Sequence, residues 1–264
     1  MPDAAAARIL ARMHWTDAGI VLAARKHGET SAVLSLLTRQ HGRHAGLVRG
    51  GAGRRLKGVL QAGNELSVEW RGRLSEHLGT FAVELQAANA ALLLDDALRL
   101  AGLAAACAMA EAALPEREPH GPLYDAFRVL LASLVAGDAD WPRVYARWEL
   151  GLLAELGFGL DLSHCAATGA VDDLTHVSPK TGRAVSAAAA RPYADRLFRL
   201  PGFFINQGGG NDAAAELRDG FALTGFFLER YVFSPHRQKM PPARTRLVER
   251  FSRPATTSGV DKTP

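Results

Sequence analysis

Only two cysteines, Cys107 and Cys165, occur in the 264 residues. Two thiols cannot form the multi-bridge frameworks that hold small secreted domains, and a chain of this length buries enough core to need none. A reducing, cytoplasmic setting is the expectation. Long apolar runs are absent too: nothing approaches the roughly 20 residues a membrane-spanning helix requires, so no membrane partner is expected. The opening MPDAAAARILAR lacks the continuous apolar segment of a secretory signal. Residues 1–12 read as a frayed alanine-rich arm, with Met13 as an alternative start.

Nucleotide chemistry lacks its motif. Gly50-Gly51-Ala52-Gly53-Arg54-Arg55 and Gly208-Gly209-Gly210-Asn211 both miss the Gly-Lys-Ser/Thr ending through which a P-loop holds phosphate and magnesium. Acid clusters are sparse. Asp95-Asp96 stands near a helix start, where carboxylates complement the macrodipole without catalysis, and Asp172-Asp173 lies in a turn-rich stretch. Neither pair has a further acid at two-metal spacing. Hence no enzyme and no cofactor are expected, and a metal-dependent nuclease stands only as the rival that these pairs would serve.

A local absence says the most. Between Glu29 and Glu65 there is no acidic residue, yet Arg39, Arg43, Arg49, Arg54, Arg55 and Lys57 fall there, with His41 and His44. Soluble surfaces normally mix both signs, so a one-sign stretch points to a polyanionic partner. The formal charge of +4 hides this segregation. Residues 1–80 carry 12 Lys/Arg against 6 Asp/Glu, residues 81–180 carry 6 against 14, and residues 181–264 carry 13 against 7.

What is present divides by period. From Trp15 to about Leu85 short apolar runs alternate with glycine turns: Gly19–Ala23, Ser31–Thr38, Arg43–Val48, Asn64–Trp70 and Leu78–Leu85. Five short strands in about 70 residues predict a small barrel or sandwich, of which the five-stranded OB-fold is one solution. Leu66, Val68 and Trp70 share one face, which assigns Trp70 to the core, while Trp15 is a candidate for stacking on bases. Beyond Leu85 the period turns helical. Helices are predicted over Leu92–Leu114, over Tyr124–Val135 and from Trp141-Pro142, the last with a stripe of Trp141, Val144, Tyr145, Trp148, Leu152 and Leu156. Cys107 reads as a helix-core residue. Residues 160–190 are polar and turn-rich. A further helix follows an Asn211 or Asp212 cap, a short one spans Arg244–Phe251, and the tail, 252–264, reads as disordered.

The stretch GIVLAARKHGETSAVLSLLTRQHGRHAGLVRGG, with the later ELGLLAELGFGLDLSHC and VSPKTGRAVS, resembles the RecO family of DNA repair proteins in order from about Met13 to Arg250. The resemblance implies an amino-terminal OB-fold joined to a helical domain. It also implies a non-enzymatic recombination mediator that binds single- and double-stranded DNA, anneals strands, and works with RecR to load recombinase. The implied partners include the acidic carboxy-terminal tail of single-strand-binding protein, for which Arg128, Arg143 and Arg147 are rim candidates. Some members of the family carry a Cys-rich zinc motif near Cys165. Here Cys165-Ala166-Ala167-Thr168 keeps one thiol of that pair, and Cys165, His164 and His176 give three ligands at most, so no metal is expected and the loop reads as a degenerate finger.

The expected architecture is therefore α+β: an OB-fold barrel at 13–85 and a helical domain at 86–251 that includes the finger-like loop at 160–190. The function expected is DNA binding and strand annealing in a cytoplasmic, nucleoid-associated setting. Arg39, Arg43, Arg49, Arg54, Arg55 and Lys57 are the expected phosphate contacts, and Arg191, Arg196 and Arg199 a secondary set. A protein-interaction adaptor without direct DNA contact is the third reading.

Overall fold

The computed structural model describes residues 13–74, 77–207 and 212–252. The arm expected at 1–12, the loop Gly208–Asn211 and nearly all of the expected tail lie outside the described residues. The chain divides into two compact units, one up to Phe158 and one from Gly159.

The first unit opens with β1 (Met13–His27), β2 (Ser31–Thr38), β3 (Gly42–Val48), the single-turn helix α1 (Arg54–Lys57), β4 (Glu65–Gly72) and β5 (Thr80–Ala87). The strands ring in the order β1-β2-β3-β5-β4, which is an OB-type barrel. All neighbours are antiparallel except β3 and β5, which meet at a single parallel pair, Leu47 opposite Thr80. The barrel is thus open along most of that seam. Its core gathers Val21, Leu34, Leu36, Val68, Trp70 and Phe81.

β1 is three times the length of the apolar run Gly19–Ala23 that the sequence suggested. Its first half pairs with β4, from Met13–Gly72 to Ile20–Glu65. Its second half pairs with β2 as far as His27–Ser31, across a bulge between Val21 and Ala23. The central run lacks alternation because both of its faces are covered: Val21 belongs to the barrel core, and the helix α3 (Ala97–Ala113) packs on β1 from outside. Cys107 of that helix donates its thiol to the Val21 carbonyl at 3.6 Å.

After the barrel come α2 (Asn89–Leu92), α3 (Ala97–Ala113), α4 (Gly121–Ala136) and α5 (Trp141–Glu155). The single helix expected from Leu92 is interrupted, because Asp96 caps a new one. Its carboxylate accepts from the Leu98 and Arg99 amides at 3.0 and 2.9 Å, satisfying orphan donors of the first turn. Those hydrogen bonds, with the Arg99 guanidinium, hold the Asp96 carboxyl below its usual range. Asp96 is therefore a cap. The α5 stripe buries Trp141, Tyr145, Trp148 and Leu152 as its spacing predicted.

Barrel and helices are fastened within this unit by a polar clamp. Glu111 of α3 accepts from the Ser35 hydroxyl of β2 and faces Arg25 at 3.7 Å and Arg43 at 3.9 Å. Arg43 also donates to the Leu114 carbonyl at 2.8 Å and pairs with Glu116 at 3.3 Å. Gly42, at φ +65°, lies so close to the following segment that a Cβ there would sit 1.8 Å from the Glu118 carbonyl oxygen.

The second unit contains β6 (Leu174–Val177), β7 (Ala184–Ser186), α6 (Ala187–Ala190), β8 (Phe198–Arg199), α7 (Ala213–Leu228) and α8 (Pro242–Ser252). The stretch 160–190 is more than loop, since β6 and β7 pair within it and β8 completes a small sheet in the order β7-β6-β8. Three- and four-residue strands leave too little alternation to read from sequence. Asp212 caps α7 by accepting from the Ala215 amide at 2.8 Å. Arg244 of α8, 6% exposed, donates to the Phe221 carbonyl at 2.9 Å.

Trp70 is wholly buried, and its indole donates to the Leu78 carbonyl at 3.1 Å. Gly72 and Gly79 pack so tightly on the ring that a Cβ at either would lie under 2.5 Å from it. Truncation of so large a core side chain leaves a cavity that the surrounding sheet only partly collapses into. Trp70→Ala is expected to lower stability by about 3–5 kcal/mol in urea denaturation; a loss under about 1 kcal/mol would contradict this packing.

Candidate nucleic-acid interface

The six basic residues separate in space. Arg39 is exposed beside Asp125 of α4, at 3.2 Å. Two exposed partners gain little from such a pair, so Arg39 can still exchange it for a phosphate. Arg43 cannot. Its side chain is 17% exposed and is committed to Leu114, Glu116 and Glu111; it holds α3 to the barrel. The acid-free stretch of sequence thus receives acids from helices that are distant in the chain.

Arg49, Arg54, Arg55 and Lys57 are exposed and have no acidic partner among the described residues. The glycine loop before them is tied down: Ala52 donates its amide to the Thr30 carbonyl at 2.9 Å and Gly53 to Gly50 at 3.0 Å. Gly50 turns the chain at φ +71°, and α1 presents the three cations on one turn.

Arg49 and Arg55 line one wall of a cleft of about 890 Å³, which also includes Val48 of β3 and the start of β5. Arg71, Arg73 and His77, from the end of β4 and the connection to β5, line it as well. Sequence reading missed these three, because they follow Glu65 and so fall outside the acid-free run. Their signal lay in the strand pattern, since β4 and β5 border the same seam as β3. Glu69 is the one acid of the lining among the described residues, and it is neutralised: Arg71 Nε donates to it at 2.7 Å and His14 approaches at 2.6 Å. These two hold the Glu69 carboxyl below the usual carboxylate range.

Across the β1–β4 edge lies a second, smaller pocket of about 400 Å³, with an aromatic wall. Trp15 stacks on His41 at 3.9 Å and 8°, and on Trp70 at 5.8 Å and 15°. His41 is steered by Asp17 at 3.0 Å. Trp15 is half-buried in this stack, whereas Trp70 belongs to the core as its strand face predicted.

The secondary set lies in the second unit. Arg191, Arg196 and Arg199 are all exposed, the first two on a short helical turn and the third on β8. Arg199 stands by Asp219 and His176. Of the rim candidates, Arg128 pairs with Glu65 at 3.2 Å and Arg143 with Asp140 at 2.8 Å.

The residues near Cys165 do not fit a zinc ion. The His164 ring is engaged by Ser163 and Arg183, and the His176 ring by Thr175. No group of three or more His, Cys, Asp or Glu able to hold a metal lies among the described residues. Burial alone would push the Cys165 thiol up, but hydrogen bonds from Ser186, Thr168 and Ala167 outweigh it and bring it down to about 6. The donors around the sulfur, Ser186 and Thr168 first, thus favour the thiolate. Cys107, in contrast, is pushed up to about 12, chiefly by burial.

Two predictions follow from these assignments. Arg43→Gln should cost about 2 kcal/mol of stability in urea denaturation, because it strands a carbonyl and two carboxylates, while leaving the salt dependence of DNA binding unchanged; the reverse pattern would make Arg43 a phosphate contact. His44 is lowered from 6.5 to about 4, first by burial and then by Arg117 and His41. Between those values the unfolded chain binds more protons. Stability present above pH 6.5 is therefore lost as the pH falls toward 4, and His44→Phe should flatten that part of a denaturation-midpoint profile. An unaltered profile would contradict the burial of this ring.

Comparison with known proteins agrees with the architecture. Residues 13–88 match the family model for the recombination protein O amino terminus, and residues 94–240 that for its carboxy terminus. The chain is 53% identical to the DNA repair protein RecO of Rhodospirillum centenum over 254 residues, covering 96% of this chain and all of that protein. It is 50% identical to the proteins of the same name from Rhodospirillum rubrum, over 91% of this chain and 97% of the relative, and Phenylobacterium zucineum, over 91% and 98%. An OB-type barrel followed by helices, matched along both parts at this identity, places the chain in the RecO family of DNA repair proteins.

Proposed function

We propose that this protein binds DNA through its phosphates along the β3–β5 seam and acts in recombinational repair without covalent chemistry. The observation that carries the reading is the cleft. Arg49 and Arg55 face it from one side and Arg71, Arg73 and His77 from the other, and its lining acid, Glu69, is already paired. Arg54 and Lys57 extend the same surface on α1, and Arg39 adds a cation at the β2–β3 turn. Backbone recognition needs fixed cations rather than base-specific donors, so it suits both single and double strands. Strand annealing follows naturally, since two polyanions approach one another only when their charge is screened.

Work with RecR and with the acidic tail of single-strand-binding protein is the finer part of the reading. It is supported by family membership, as are a cytoplasmic, nucleoid-associated location and the absence of catalysis. Arg191, Arg196 and Arg199 are a candidate second contact surface for DNA. No described helix is long and apolar enough to cross a membrane. The nuclease rival gains nothing from Asp96, which is occupied as a helix cap.

Neutralising Arg49, Arg55 and Arg73 together to Gln tests the cleft. Each lost phosphate contact to a single strand flattens the slope of log affinity against log salt by about 0.7, so the triple variant should be flatter by roughly 2. All three are exposed, and folding should survive. An unchanged slope would remove this cleft from the DNA path.

A further inference from the structure

The aromatic pocket contains an unmet hydrogen-bonding demand. His44 is 3% exposed, lines the pocket, and has no hydrogen-bond partner at either ring nitrogen among the described residues. With its pKa brought down to about 4, the ring is neutral at physiological pH, so one nitrogen carries a proton and the other is a bare acceptor. The rings of Trp15 and Trp70 stand nearly perpendicular to it at 5.1 Å each, an arrangement in which an indole face can take up the N–H. No such contact satisfies the acceptor. The acceptor nitrogen of His44 is left without a donor among the described residues.

Its walls limit what can bring one. The rings of His41, Trp15 and Trp70 stack in parallel within one wall, Gln40 and Arg117 add polar groups, and no carboxylate lines the pocket among the described residues. About 400 Å³ is room for a single planar ring system. The pocket is also tied to the phosphate cleft: His14 lines the pocket, Glu69 and Arg71 line the cleft, and the three are hydrogen-bonded in sequence. A chain whose phosphates occupy the cleft passes this edge next.

We propose that the pocket takes one unstacked base of a DNA single strand, which donates a ring N–H or amino group to His44 and packs against the aromatic wall, with a flanking phosphate toward Arg117. This rests on the phosphate-tracking reading of the cleft. A duplex keeps its bases paired and cannot offer one, so the pocket would favour single strands where the cleft alone does not. A peptide carboxylate fits less well, because it suits Arg117 but brings no donor to His44.

The test compares short oligothymidine with an abasic strand of equal length and charge. Wild-type protein should bind the base-bearing strand about tenfold more tightly, the scale of one base–aromatic contact, with equal salt slopes for the two. His44→Phe, which keeps an aromatic ring but removes the acceptor, should bind both strands alike. A second readout needs no variant: wild-type tryptophan emission should change with oligothymidine and not with the abasic strand. Equal wild-type affinity for the two strands overturns the inference, as does full base preference in His44→Phe. An acidic peptide with a free carboxy terminus that quenches the same emission and leaves oligothymidine binding untouched would also overturn it. Failure here with steep salt slopes intact would leave the cleft standing, whereas slopes near zero for both strands would remove the cleft itself.

Discussion

The site depends on an unfinished strand pairing. β3 and β5 pair at one position, Leu47 and Thr80, with an amide bond from Leu47 to the Gly79 carbonyl at 3.1 Å beside it. Had the two strands zipped along their length, the barrel would have closed and its surface there would be flat. Because they diverge, the walls part into a cleft, and each wall ends in a basic connection. α1 follows β3 with Arg54, Arg55 and Lys57, and Arg71 and Arg73 close β4 before β5 begins. An open seam also exposes strand-edge donors and acceptors, and flanking it with cations is one way such an edge is kept from pairing with another chain.

The helices of the first unit complete this arrangement through charge. Asp125, Glu111 and Glu116 come from the acidic middle of the sequence and settle on the cations at the β2–β3 end of the barrel. They leave the cations at the other end of β3 without acidic partners among the described residues. The segregation of charge along the chain therefore does two jobs. It holds helix to barrel at Arg43, and it concentrates positive potential at the seam, where a phosphate backbone would be attracted.

Much of this was legible in sequence. Ser31–Thr38 was read to the residue as β2 because a β-branched and leucine-rich run stood between two glycine turns, and Trp141 opened α5 because proline suits a first helical turn. The core placement of Trp70 followed from its alternation with Leu66 and Val68. Other features depended on contacts that sequence does not display. β1 looked short because α3 hides its outer face, and with it the alternation that marks a strand. Arg43 looked like Arg49 until Leu114 and Glu116 were seen beside it. Arg71, Arg73 and His77 went unnoticed because their relation to Arg49 is one of neighbouring strands, which a linear scan for charge runs does not register. The strands of the second unit were too short to show a period.

The central claim is that exposed, unneutralised cations at the seam bind DNA as a phosphate track. The most direct measurement is the affinity of the intact wild-type protein for a single strand across a range of salt concentrations. Arg49, Arg54, Arg55, Lys57 and Arg73, at about 0.7 each, predict a log–log slope of roughly −3.5. A slope flatter than about −1 would show that the cations release few counterions, and would contradict the account.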